Sequence, residues 1–335
     1  MTLLFMDGFD HYTDAQRFEK SVESEYISSF NGSWGRFGSG GFRLTSSNYQ
    51  ATINSGINKS TIYLGIAIKK SSGGTPTYSS IYPMIEFQDE VGVVQLKLYV
   101  NPTFGISIYD AADSLLGSSS DGVIPDIKWF YLEVKVTISD TVGEVTVRIN
   151  ETQVLNLTSQ DTKNSSDYIR KIRFRCVNNS LDVYYDDMYI DDAQFHGDCR
   201  IRTFMPDADG NSSDFTRSTG SNDYECVDES PSNDDTDYIS SDTLNHKSIF
   251  GITTGVVGTV IGIQINNHVR IDEAGVRKIK PIIRSNSTDY QGNETDEISA
   301  DYLFEHEIWE TDPDDSNPWT QTKLEAAEFG LEITT

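Results

Sequence analysis

The chain has 335 residues, enough for two domains that each bury a core. Its 52 acidic and 26 basic side chains give a formal net charge of −26. Such a surface repels phosphate backbones and anionic lipid heads, which argues against nucleic acid and membrane as partners. The 17 Tyr, 16 Phe and 4 Trp supply core material that a disordered acidic chain lacks. The first residues, Met1 to Asp7, show neither a basic opening nor an apolar stretch suited to a secretory signal. No run approaches the roughly 20 apolar residues of a membrane helix. The sequence therefore reads as a protein made in a cytoplasm without a cleaved leader. Cys176, Cys199 and Cys226 have neither the number nor the spacing of a disulfide framework or a zinc site. They read as idle thiols, with a single disulfide as the alternative.

Helical periodicity is confined to two short stretches, 14–29 and 321–329, while strand signals recur along the chain. Runs of β-branched and aromatic residues at 61–68, 81–88, 91–100 and 104–109 predict strands, separated by turn clusters such as Ser71–Pro76 and Ser118–Gly122. The clearest element is 128–138, where Leu132, Val134, Val136 and Ile138 alternate with Glu133, Lys135 and Thr137. That alternation predicts one buried side and one facing water. The turn Ser139–Gly143 leads into a second alternating strand, 144–149, and so predicts an antiparallel hairpin. Further strands are expected at 171–176 and 183–190. A boundary near 191–200 divides residues 1–195 from a more acidic 196–335. Within the second part, 206–238 is rich in Asp, Ser, Asn and Gly and reads as a long loop or arm. Strands are expected again at 255–264, 269–271, 278–283 and 300–309. Many short strands at this spacing imply an all-β protein: an antiparallel sandwich or jelly roll followed by a smaller β-rich domain.

Motifs for chemistry are sparse. His11, His196, His246, His268 and His306 are scattered, and no Gly-x-Ser-x-Gly elbow presents a nucleophile. Two carboxylates across a sugar groove suffice for glycoside cleavage, so Glu86, Glu133 and Glu144 on predicted strands are the candidates for such a pair. Glu133, alternating with apolar residues, reads instead as a carboxylate facing water. Calcium is the cation that hard oxygens suit, and Asp186, Asp187, Asp191 and Asp192 crowd one strand end as candidate ligands. The run Asp207-x-Asp209-Gly210-Asn211 superficially resembles an EF-hand loop. Its Gly comes too early, however, and no Glu closes it. No other cofactor is indicated. Trp34, Phe37, Phe42, Tyr49, Tyr78 and Tyr82 lie in or beside Gly/Ser-rich segments. Aromatic rings with polar neighbours hold sugars in lectin-like sandwiches, which makes Trp34, Tyr78 and Tyr82 candidate glycan-binding residues. Filling a sandwich core is the competing role for the same rings.

The aromatic strand Trp129–Val134, the hairpin strand Gly143–Asn150 and the closing strand Tyr185–Asp192 resemble those of laminin-G/concanavalin-A-like jelly rolls. The opening Leu3–Tyr12, the stretches Gly197–Ile201, Pro206–Gly210 and Tyr224–Glu229, and the final Asp312–Thr320 resemble virion structural proteins of tailed bacteriophages. Together these similarities span nearly the whole chain. The resemblance implies a non-enzymatic particle component, at the tail, its tip or a fibre, made in the host bacterial cytoplasm and carried in the virion. It implies other virion proteins as partners, host-surface glycans as a contact of the outward domain, and a homo-oligomer, with a trimer expected from the symmetry of such positions. A capsid decoration protein on the head is the nearest alternative. A glycan-cleaving enzyme is the alternative of another class.

Overall fold

A computed structural model describes residues 2–20, 29–45, 49–71, 84–176, 182–255 and 258–335, and pairs its strands antiparallel throughout. Contacts divide the chain into Thr2–Ile201 and Arg202–Thr335. Residues 196–201, expected to open the second part, thus pack with the first.

Among its described residues the first unit holds fourteen strands. In chain order they are β1 (Leu3–Asp7), β2 (Ser29–Asn31), β3 (Gly41–Leu44), β4 (Gln50–Lys59), β5 (Thr61–Lys70), β6 (Ile85–Gln88) and β7 (Val94–Val100). Then come β8 (Ile106–Asp110), β9 (Leu115–Ser118), β10 (Phe130–Thr137), β11 (Gly143–Ile149), β12 (Thr152–Gln160), β13 (Ile169–Arg175) and β14 (Val183–Asp191). One sheet has eight strands in the order β12-β11-β10-β5-β14-β3-β2, with β1 also paired to β14. The other has six, in the order β4-β13-β6-β7-β8-β9. The two make a β-sandwich.

Alternation builds the core. Leu64, Ile66 and Ile68 of β5 and Leu132, Val134 and Val136 of β10 are buried, as are Ile85 and Phe87 of β6 and Leu96 and Leu98 of β7. Phe42 of the eight-stranded sheet meets Phe174 of the six-stranded one edge-on, with centroids 5.9 Å apart, and stacks on Tyr185 at 4.7 Å. Burying each such side chain contributes about 1.5–3 kcal/mol. The hairpin at 128–149 forms with Val134 opposite Val147. The expected helix over 14–29 does not form in its described part, which holds only a 3₁₀ turn, Gln16–Glu19. The expected strand at 91–100 starts at Val94, because Asp89 accepts the amides of Val91 and Val93 and closes a turn there.

The second unit contains β15 (Ala208–Ser213), β16 (Thr216–Arg217), β17 (Ile239–Ser240), β18 (Lys247–Gly251), β19 (Ile263–Val269), β20 (Ile279–Ser285), β21 (Thr288–Gln291), β22 (Leu303–Trp309), the helix α1 (Gln321–Ala326) and β23 (Glu328–Ile333). A five-stranded sheet runs β15-β18-β23-β20-β21, beside the pairs β16-β17 and β19-β22. The core gathers Ile265, Ile283, Trp319, Leu324 and Ala327, and Trp319 donates its indole N–H to the Trp309 carbonyl at 3.0 Å. Part of the expected loop at 206–238 is in fact strand, since β15 and β16 lie within it. The acidic run Asp207–Asp214 is likewise drawn into β15, where Asp209 accepts the Tyr224 amide at 2.8 Å. An extended strand cannot fold round a cation as an EF-hand loop does. The helix at 321–329 stops at Ala326, and the chain continues as β23.

Candidate functional site

Register decides what the outer face of the eight-stranded sheet carries. Because β-residues alternate between faces, Glu133, Gly65 and Tyr189 share that face, as do Tyr184, Arg43 and Lys69. Two segments of chain, 33–39 and 193–201, lie over its middle and bury it. Their backbone is held by side chains of the sheet. Tyr189 donates to Glu133 at 2.7 Å, and the same carboxylate accepts the Gly197 amide at 2.8 Å. The Tyr189 hydroxyl accepts the His196 amide, and Asp191 accepts the amides of Ala193 and Gln194. Gly65 is required beneath this layer, because a Cβ there would run into the Tyr189 ring.

Arg36 is the hub. Its Nε lies 3.0 Å from Asp187 Oδ2, within ion-pair distance though off the hydrogen-bonding direction. Its other nitrogens reach Asp198 at 2.6 Å and the Cys199 carbonyl at 3.2 Å, and the guanidinium lies 5.5 Å from the Tyr131 ring centre. Asp187 sits in a bulge of β14 with φ of 50°, at the point where β3 gives way to β1 as the neighbouring strand. The bulge re-aims its side chain, which accepts the Ile201 amide at 2.7 Å. Asp186, fully buried, accepts the amides of Arg36 and Asp187 at 2.6 and 2.7 Å. Burial, followed by the neighbouring Asp187 charge, pushes the Asp186 carboxyl well above the usual range, and burial likewise raises Asp187. At Asp191 burial works in the same direction. The His196 ring and the amides of Ala193 and Gln194 outweigh it and hold that carboxyl below its usual value.

These contacts answer the expectations about acids. Asp186 and Asp191 accept hydrogen bonds from protein donors, Asp187 accepts one with Oδ1 and faces the Arg36 charge with Oδ2, and Asp192 pairs with Lys59 at 2.6 Å. Among the described residues no three His, Cys, Asp or Glu converge as a metal-binding group. Asp186, Asp187 and Asp191 organise the chain crossing the sheet, and the four aspartates form no such group. Glu133, expected to face water, is 0% exposed. Alternation correctly placed it off the core, but the 193–201 segment covers that face. Glu86 is also buried, between Arg173 and Arg175. Glu144 pairs with Lys135 across the hairpin. No disulfide joins Cys176, Cys199 and Cys226, and burial raises the Cys199 thiol to about 12, so it stays protonated.

Among the described residues no segment crosses one end of the outer face, and Trp34 lies there. Tyr184 of β14 is flanked in register by Arg43 of β3 and Lys69 of β5. The Arg43 guanidinium stacks 4.1 Å from the Trp34 ring centre, and Trp34 meets Tyr184 edge-on at 6.3 Å. The Lys69 ammonium lies 5.7 Å from the Tyr184 ring and 5.9 Å from that of Trp129, just before β10. The result is a row, Trp34–Arg43–Tyr184–Lys69–Trp129, in which rings and cations alternate across adjacent strands. At about 4.8 Å per strand it extends roughly 14 Å. All five side chains are half-buried, and cation–π contacts hold the rings in place. Phe42, from the same set of aromatics, is core, and Phe37 is exposed beneath Arg200. Tyr78 and Tyr82 lie outside the described residues.

Reading the sequence identified Trp34 and missed its four companions. Arg43, Lys69 and Tyr184 each alternate with buried neighbours, which signals an outward position. Only strand register makes them adjacent.

A scan against protein-family models finds no match, and neither does a search of curated proteins. Among solved structures the chain is similar to a sialidase at 10% identity, over 58% of this chain and 19% of that one, with a TM-score of 0.39. It is also similar to an endo-β-1,4-glucuronan lyase from the fungus Trichoderma reesei at 12% identity, over 57% and 95%, with a TM-score of 0.39. A carbohydrate-binding module from Bacillus subtilis matches at 9% identity over 52% and 96%, with a TM-score of 0.33. The chain thus spans about a fifth of the sialidase.

Proposed function

We propose that this protein is a non-enzymatic structural component of a tailed-bacteriophage particle, at the tail or its tip, whose sandwich presents a glycan-binding face outward. The resemblance of the opening and the second half to virion proteins supplies the particle. The row from Trp34 to Trp129 supplies the face, and it is the observation that carries the binding role. A pyranose lays its C–H bonds against an aromatic ring while its hydroxyls take hydrogen bonds from flanking polar groups. Rings already fixed by cation stacking lose little freedom on binding, which favours affinity. The buried carboxylates are engaged in holding the crossing segments, which supports a non-catalytic reading.

Two measurements test this. Mass spectrometry and immunogold labelling of purified particles should find the protein on the tail; finding it on the head would favour a capsid decoration role, and its absence from particles would end the virion reading. A glycan array should show binding by the native protein that is lost in Trp34→Ala with unchanged thermal stability. An array silent for the native protein would remove the receptor role. Shortening of a bound polysaccharide would establish a cleaving enzyme instead.

A further inference from the structure

The charges along the row carry more than an affinity for sugars in general. Acids outnumber bases by two to one in this chain, and most of its described lysines lie against a carboxylate, such as Lys59 on Asp192, Lys70 on Asp126 and Lys97 on Asp113. Lys69 does not. Among the described residues no carboxylate lies within ion-pair distance of it, nor of Lys128, the residue that precedes Trp129. Arg43 is offset by Asp182 at 3.3 Å, but both are partly exposed and such surface pairs are weak. Lys69, set between the Tyr184 and Trp129 rings, and the exposed Lys128 that precedes Trp129 are thus cations without a carboxylate partner on a strongly anionic protein.

Resting on the glycan-binding reading of the same face, we propose that the ligand is a polysaccharide bearing carboxylate groups, such as a polyuronate, held by Lys69 and Lys128 while its rings lie on Trp34, Tyr184 and Trp129. Charge complementarity selects this ligand. A neutral glycan gains nothing from two lysines without counter-ions, whereas a carboxylate supplies the partner that each lacks. The anionic remainder of the surface does not forbid this. At physiological salt the screening length is about 8 Å, so contact pairs dominate over distant charge. A lysine stem covering aromatic surface is the structural role to be distinguished; that role requires no charge at the tip.

Affinity electrophoresis of the full chain separates these cases. Native gels would contain polygalacturonate, polyglucuronate or polymannuronate at about 0.15 M salt, and parallel gels the same polymers with their carboxyls reduced to alcohols. Retardation by at least one polyuronate, with little by its reduced form, is the expected result. K69Q/K128Q should weaken it roughly three- to tenfold relative to mobility in a polymer-free gel, and K69R/K128R should restore it. Equal retardation by the native and reduced polymers, or an unaltered K69Q/K128Q, would overturn the carboxylate assignment and leave glycan binding standing. Retardation by none of the polymers would overturn this inference, and with a silent glycan array the binding role falls as well. Thermal melts of K69R/K128R should match the native protein and those of K69Q/K128Q fall only slightly below it, because neither lysine has an ion pair to lose and Lys69 gives up only its contacts with the Tyr184 and Trp129 rings.

Discussion

Replacing Arg36 by Met tests the account of the covered face. The guanidinium neutralises Asp187, whose side chain is 2% exposed, from 3.0 Å away, and its own side chain is 8% exposed. Removing one member of a buried pair leaves an uncompensated charge and costs about 3–5 kcal/mol. Loss of the partly exposed Asp198 contact adds at most about 1 kcal/mol. The loss should be larger at about pH 8 than at about pH 5, because Asp187 can take up a proton at the lower pH and so escape its orphaned charge. Urea unfolding followed by tryptophan fluorescence would measure this through Trp34 and Trp129, with the second unit read through Trp309 and Trp319. The expected result is a shift of the first unit's transition alone. A loss under about 1 kcal/mol, or one that grows as pH falls, would refute the placing of Arg36 as the hub of a dry layer.

Four further outcomes follow from the structure. Asp186 and Asp187 have proton affinities raised above those of the unfolded chain, so their contribution is fully present at low pH and is lost as pH rises through the folded values. The first unit should therefore lose at least about 1 kcal/mol between about pH 5 and about pH 8, and Asp186→Asn should flatten that loss; a flat native profile would contradict the shared burial. Asp191 has the opposite sign, so protection of the Ala193 and Gln194 amides from hydrogen exchange should be lost as pH falls below the ordinary carboxylate range. Gly65→Ala, which forces its methyl into the Tyr189 ring, should cost about 1–3 kcal/mol, and Trp319→Ala about 3–5 kcal/mol confined to the second unit; thermal melting of each variant checks both.

Much of the sandwich was legible because a half-buried strand writes its period into the chain. Leu132, Val134 and Val136, and the paired Val145 and Val147, identified the hairpin and its inner face. The same period misplaced Glu133. Alternation separates two faces of a strand, but nothing in it says that another segment crosses the second face. The 193–201 segment contains no apolar run to mark it as a cover, because it is held by backbone amides donated to Glu133, Asp187 and Asp191. Those donors are available at almost any residue and leave little trace in composition. The described part of 14–29 and the strand part of 206–238 depart from expectation for a related reason. In the first, Asp14 accepts the Phe30 amide, a contact across the stretch rather than within a helix. In the second, polar residues pair as edge strand through backbone hydrogen bonds that do not depend on side-chain type.

The candidate site divides along the same line. Trp34 could be singled out as an aromatic in a Gly/Ser-rich segment, and Tyr184 as an outward position on its strand. Their assembly with Arg43, Lys69 and Trp129 depends on contacts between residues far apart in the chain. By itself the sequence determined the all-β class, the main strands of the sandwich and the acidic character, because these follow from local periodicity and from charge, which sums without regard to position. Only the tertiary structure decided which acids are dry, which cations lack a counter-ion and which rings share a row. Those properties are set by strand register and by the segments that cross the sheet, and a shift of one residue in register would turn every one of those side chains to the opposite face.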